Sequence, residues 1–208
     1  DDGKTRSGMS EQGSINMSPH RFCRYEGIKK SDDKDKNPNS NSSETFGAHT
    51  DTSFLTLVPV AKVSGLEVFD EGANQWFRPE LLARRMWEKE QEKFGRDPTA
   101  LSEKITEFDG SEEKEVDIPW HSRYLVAMPG ELLQICTRNE VAAAVHRVVN
   151  VKGGDARFSA PVLLRARSGM RLNLTKYFGN TANSLLKECD GMKMEDIHNA
   201  LQPSSYRD

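Results

Sequence analysis

The chain has 208 residues, 36% of them hydrophobic and 29% charged, enough for one domain with a substantial core and short for two. Twenty-nine Lys and Arg against 32 Asp and Glu give a formal net charge of -3, so no basic excess exists to hold a phosphate backbone. No apolar run approaches the roughly 18 residues of a membrane span, which with the charge balance leaves neither nucleic acid nor membrane as an expected partner.

In chain order, residues 1–19 are polar and without periodicity and read as a loose lead-in; the absence of a Met at Asp1 reads as a piece of a longer chain. RFCRYEGI (21–28) reads as a strand. The run 29–45 is charged and rich in Asn and Ser, with almost nothing apolar to offset its ordering entropy, and is expected as a mobile loop. HTDTSFLTLVPV (49–60), GLEVFDE (65–71) and QWFRPE (75–80) carry the β-branched and aromatic texture of strands between turn residues. LLARRMWEKEQEKF (81–94) follows Pro79 and reads as an amphipathic helix. Leu101, Ile105 and Phe108, at spacings of four and three after Asp97-Pro98, suggest a second helix, and GSEEKEVD (110–117) a solvated loop. Strand texture resumes at 123–128, 131–137, 141–151 and 157–167, with helices expected at 175–188 and 193–201. Short strands interrupted by a helical insertion over 81–117 point to a mainly β barrel or sandwich with peripheral helices.

Few residues in this pattern can carry chemistry. In a strand, positions i and i+2 share a face, so His49 and Asp51 would converge as two ligands of a divalent metal; the other reading is a surface His bonded to its neighbour. The same parity puts Ser53 and Leu55 on the Asp51 face and turns Thr52 and Phe54 away. His146, amid Val and Ala, needs a partner, either a metal or a buried carbonyl. Two His and one carboxylate leave open positions that suit non-haem Fe(II). Arg157 and Ser159, again i and i+2, would clamp a carboxylate or else lie at the surface. His121, beside Trp120 and a polar loop, reads as surface. Three cysteines, Cys23, Cys136 and Cys189, are odd in number and lack metal-type spacing, which favours a reducing, cytoplasmic setting over a disulfide scaffold.

Taken in order, HTDTSFLTLV, GLEVFD, QWFRPE, PGELLQICT, VHRVVN and RFSAPVLL resemble the successive core motifs of the 2-oxoglutarate/Fe(II)-dependent dioxygenases, nearest the isopenicillin-N-synthase-like branch. The resemblance spans residues 20–167, leaves 168–208 as a helical tail, and implies a double-stranded β-helix (jelly-roll) core. It also implies that His49, Asp51 and His146 ligate Fe(II), that Arg157 and Ser159 hold the distal carboxylate of 2-oxoglutarate, and that Tyr25 reaches the same cosubstrate. Cys23 stands where the family pattern around Tyr25 usually has Asn, Arg138-Asn139-Glu140 replaces a usual Asn-Gly, and the helical N-terminal region usual in this branch is missing. The implied activity consumes O₂ and 2-oxoglutarate to hydroxylate or desaturate a small organic substrate. A same-fold Fe(II) oxidase that ignores 2-oxoglutarate, and a silent jelly-roll binding domain, are the alternatives.

Overall fold

A computed structural model describes residues 18–27, 44–110, 112–150, 155–166, 169–173 and 188–201. The expected lead-in over 1–19 and loop over 29–45 lie almost wholly outside these residues, as does the helix expected over 175–188.

The described chain is mostly β. Its first strands are β1 (Cys23–Tyr25), β2 (Glu44–His49), β3 (Leu55–Pro59), β4 (Leu66–Asp70) and β5 (Gln75–Phe77). Helix α1 (Pro79–Lys93) and the pair β6 (Ser102–Asp109) and β7 (Glu112–Pro119) follow, then a 3-10 turn (Trp120–Arg123). Strand β8 (Leu125–Pro129) leads into α2 (Glu131–Cys136), and β9 (His146–Val149), β10 (Arg157–Ser159), β11 (Val162–Leu164) and α3 (Met194–Leu201) complete the order.

Two antiparallel sheets carry the core, one ordered β11-β3-β8 and the other β2-β9-β4-β5. A two-stranded pair, β1-β10, continues the first, because His20 bridges to Val162 on β11. The sheets face each other through Val58 and Met128 on one side and Leu66 and Val68 on the other, all buried. Strand alternation explains the choice: in β3, Thr56 and Val58 point in while Pro59 is exposed. On the outer face of the second sheet, Glu67 accepts from Arg78 Nε at 3.0 Å and from Arg147 Nε at 2.8 Å, and Arg147 lies 4.1 Å over the Trp76 ring.

The region 81–117 is helical only in its first half. Pro79 at the first turn fixes φ where no amide is needed, and α1 buries Ala83 and Trp87 against Val60 and Trp120. The second half is a β-hairpin, paired from Ser102↔Pro119 to Asp109↔Glu112, with Gly110 at φ 69° in the turn. The helical spacing of Leu101, Ile105 and Phe108 is incidental. Leu101 and Phe108 are 67% and 74% exposed, so no apolar stripe is buried, and cross-strand pairs such as Ile105↔Val116 decide the backbone instead. The expected loop at 110–117 is largely strand β7.

Two further expectations are corrected. Segment 131–137 is not a strand; its first six residues form α2, which buries Leu132 against Ala166, Leu172, Met194 and Ile197. Nor does one strand run through 49–60: the chain bends between His49 and Leu55. No helix among the described residues is long and apolar enough to cross a membrane.

Candidate metal and carboxylate site

The bend after β2 builds the first half of the site. β2 pairs with β9 so that His49 lies directly opposite His146, and the two rings sit 4.2 Å apart. Each ring nitrogen Nδ1 faces a main-chain carbonyl two residues earlier, Gly47 O at 2.8 Å and Ala144 O at 3.0 Å. A nitrogen facing a carbonyl carries the proton, which leaves Nε2 of both rings as a lone-pair donor. These nitrogens face one carboxylate: His49 Nε2 is 3.8 Å from Asp51 Oδ1, and His146 Nε2 is 3.6 Å from Asp51 Oδ2. Among the described residues, His49, Asp51 and His146 thus bring ligand atoms within 4.8 Å of one another. Two imidazoles and a carboxylate on one side of a point form a donor set for a divalent transition metal.

Asp51 reaches that point from the bend, not from strand alternation, and the bend is held from behind. The amides at the start of α2 donate into it, Glu131 N to Asp51 O at 2.8 Å and Leu132 N to Ser53 O at 3.1 Å, while Gly130 N donates to Phe54 O at 3.1 Å. These are amides that a helix start leaves unpaired, so the helix and the bend satisfy each other. Thr56 Oγ1 donates to Asp51 Oδ2 at 2.6 Å, and Ser53 Oγ lies 3.0 Å from Thr56 Oγ1. The bend also breaks the parity expected from the sequence: Thr56 and Val58 line the cavity, whereas Leu55 does not and Ser53 lies wholly buried behind Thr56. Burial pushes the His146 imidazolium down, with Asp51 acting in the opposite sense.

The cavity beside the cluster has a volume of about 110 Å³ and extends between the sheets to β1 and β10. Arg157, Ser159 and Tyr25 all line it. Arg157 is 4% exposed, donates from Nη2 to Glu80 Oε1 at 2.9 Å, and has Nε and Nη1 buried without a partner among the described residues. Its guanidinium lies 5.5 Å from the Tyr25 ring centre. Buried donors with nothing to donate to are costly unless a ligand completes them, and a carboxylate fits that need. The Tyr25 hydroxyl is pushed up to about 12, chiefly by burial and then by Cys23 beside it, so it remains a neutral O–H donor. Cys23, at the usual Asn position, also faces the cavity, opposite Ser159 in the β1-β10 register. His121 stands apart from the cluster, half-buried against Trp120.

Four contributors went unread in the sequence. Thr56 and Gly130 brace the Asp51 bend, Glu80 pairs with Arg157, and Arg21 lines the cavity at the head of the alternation Arg21, Cys23, Tyr25. That alternation is a signal in the sequence; Glu80 closes the QWFRPE segment, but nothing in that segment aims its side chain at Arg157.

No protein-family model and no curated protein sequence matches the chain. Solved structures do. A full-length Neurospora crassa protein in complex with alpha-KG superposes with a TM-score of 0.52 at 16% identity, over 92% of this chain and 46% of that one. A 2OG-Fe(II) oxygenase family protein from Caulobacter crescentus gives 0.50 at 21% identity, over 92% and 47%. The same Neurospora crassa protein in complex with alpha-KG and thymine gives 0.50 at 16%, over 92% and 47%. The chain spans a little under half the length of these proteins, and over that span it has the fold of the 2OG-Fe(II) oxygenases.

Proposed function

We propose that the protein is a non-haem Fe(II) oxygenase that couples oxidative decarboxylation of 2-oxoglutarate to hydroxylation or desaturation of a small organic substrate. The observation that carries this reading is the pairing, in one cavity, of a His49–Asp51–His146 ligand set with buried donors on Arg157 that have no partner among the described residues. The strand order supports it. β2, β4, β5 and β9 fall in one sheet and β3, β8 and β11 in the other, a chain crossing back and forth between sheets as a double-stranded β-helix does. The order of the sequence motifs favours the isopenicillin-N-synthase-like branch, and three free cysteines suit a reducing, cytoplasmic setting.

The residues divide the work. His49, Asp51 and His146 hold Fe(II) on one side, with Gly47 and Ala144 fixing the tautomers and Thr56 fixing the carboxylate. When bound, the iron with 2-oxoglutarate and O₂ supplies the oxidising chemistry, leaving succinate and CO₂. Arg157 binds the distal carboxylate of the cosubstrate, with the Ser159 hydroxyl beside it and the protonated Tyr25 hydroxyl as a further donor. Val58, Leu66, Met128, Val148 and Leu163 line the remaining wall and keep water from the reacting groups. That one Neurospora crassa complex holds thymine alongside alpha-KG is consistent with a small-molecule substrate here.

Anaerobic titration of the full chain with Fe(II) and then 2-oxoglutarate tests the reading. A metal-to-ligand charge-transfer band is expected, and His146→Ala should weaken Fe(II) binding at least ~100-fold and abolish the band. Iron binding without a band would make the protein an oxidase that ignores 2-oxoglutarate. A folded wild-type chain that binds no iron would leave a silent binding domain.

A further inference from the structure

Burying a guanidinium requires something to hold it, and what holds Arg157 is the last residue of the QWFRPE segment, 77 positions earlier in the chain. Glu80 is 2% exposed and sits in the first turn of α1, immediately after Pro79. Its Oε1 accepts from Arg157 Nη2 at 2.9 Å and from the Leu66 amide at 3.2 Å, and its Oε2 lies 3.5 Å from Ser64 Oγ. The carboxylate is therefore tied to the start of β4 as well as to the arginine. Arg157 reaches it by passing over Gly65, where a Cβ would lie 2.8 Å from Arg157 Cδ.

We infer that Glu80 is a positioning residue, holding one nitrogen of Arg157 so that the remaining donors face the distal carboxylate of the cosubstrate. The inference rests on the oxygenase reading and deepens it. Two effects of Glu80 oppose each other. Its charge offsets that of Arg157 and repels an incoming carboxylate, while its reach fixes the guanidinium in place. A fixed donor loses less freedom on binding, so reach is the property that serves the site.

Two near-isosteric variants separate reach from charge. Glu80→Asp keeps the charge and shortens the side chain by one methylene; Glu80→Gln keeps the reach and an accepting oxygen but removes the charge. Each variant of the 208-residue chain is loaded with Fe(II) anaerobically and titrated with 2-oxoglutarate, then separately with pyruvate, which chelates through the same keto-acid end but lacks the distal carboxylate. Glu80→Asp is expected to bind 2-oxoglutarate about tenfold more weakly, roughly one charge-assisted hydrogen bond, and Glu80→Gln to stay within about threefold of wild type. Fe(II) and pyruvate binding should be unchanged in both. Wild-type affinity for 2-oxoglutarate in Glu80→Asp overturns the inference, and so does an equal loss in Glu80→Gln, which would make charge the operative property. A parallel loss of pyruvate binding also overturns it, by showing general loosening. A wild-type protein that gives a band with neither keto acid fails the oxygenase reading itself and takes the inference with it.

Discussion

At the metal end of the cavity both imidazoles are oriented by carbonyls two residues before them, whereas at the other end Arg157 is held by a carboxylate 77 residues away in the chain. The first arrangement is made by the backbone of β2 and β9 wherever those strands pair. The second exists only when α1 docks with Glu80 facing inward. The same cavity thus joins a locally determined end to one that depends on tertiary packing, and the two should fail separately when perturbed.

The largest break is expected at Gly130, at the metal end. A Cβ there would lie 2.2 Å from Ser53 O and 2.7 Å from Asp51 O, both backbone atoms that cannot move without carrying the bend away. Gly130→Ala should cost about 3 kcal/mol in chemical denaturation, an overpacking penalty, with a concurrent fall in Fe(II) affinity. Gly65→Ala perturbs the other end. Its Cβ would crowd Arg157 Cδ at 2.8 Å and Val149 O at 3.0 Å, and the arginine is the freer of the two. The expected outcome is about tenfold weaker 2-oxoglutarate binding with Fe(II) affinity retained, read by the same anaerobic titrations. If Gly65→Ala weakened both equally, the two ends would not be independent. The smallest effect belongs to the hairpin, where Lys104 Nζ is 3.1 Å from Glu115 Oε2 with both side chains more than two-thirds exposed. Lys104→Ala should change stability by no more than ~0.5 kcal/mol and leave both titrations untouched.

The contrast also explains what the sequence could disclose. His49, Asp51, His146, Arg157 and Ser159 stand in short, ordered motifs, and the structure gathers all five around one cavity. Strand texture located β3, β4, β5, β8 and β9, and Pro79 marked α1. Alternation failed across 49–55 because amides at the start of α2 pull the chain into a bend, a contact between segments some 80 residues apart. The same cause hid α2 itself: ELLQIC is as apolar as a strand, and its helical state follows from burying Leu132 beneath α3. The hairpin at 102–119 is masked in the sequence by a helical spacing that buries nothing, since Leu101 and Phe108 stay exposed. Glu80 was silent for another reason: a glutamate in the first turn of a helix is ordinarily a solvated, dipole-compensating residue, and only docking turns it inward.

The packing of α1 has an optical consequence. The chain's three tryptophans are Trp76, Trp87 and Trp120, and none of them lines the metal cavity. Trp87 is wholly buried on α1, donating its indole N–H to Ala100 O at 2.9 Å, and Trp120 packs in the same cluster. Ultraviolet emission from Trp87 and Trp120 therefore reports whether the helix that carries Glu80 is seated. Visible absorbance would report the iron. One sample followed at both wavelengths would show whether the helix undocks before the cosubstrate is released or after.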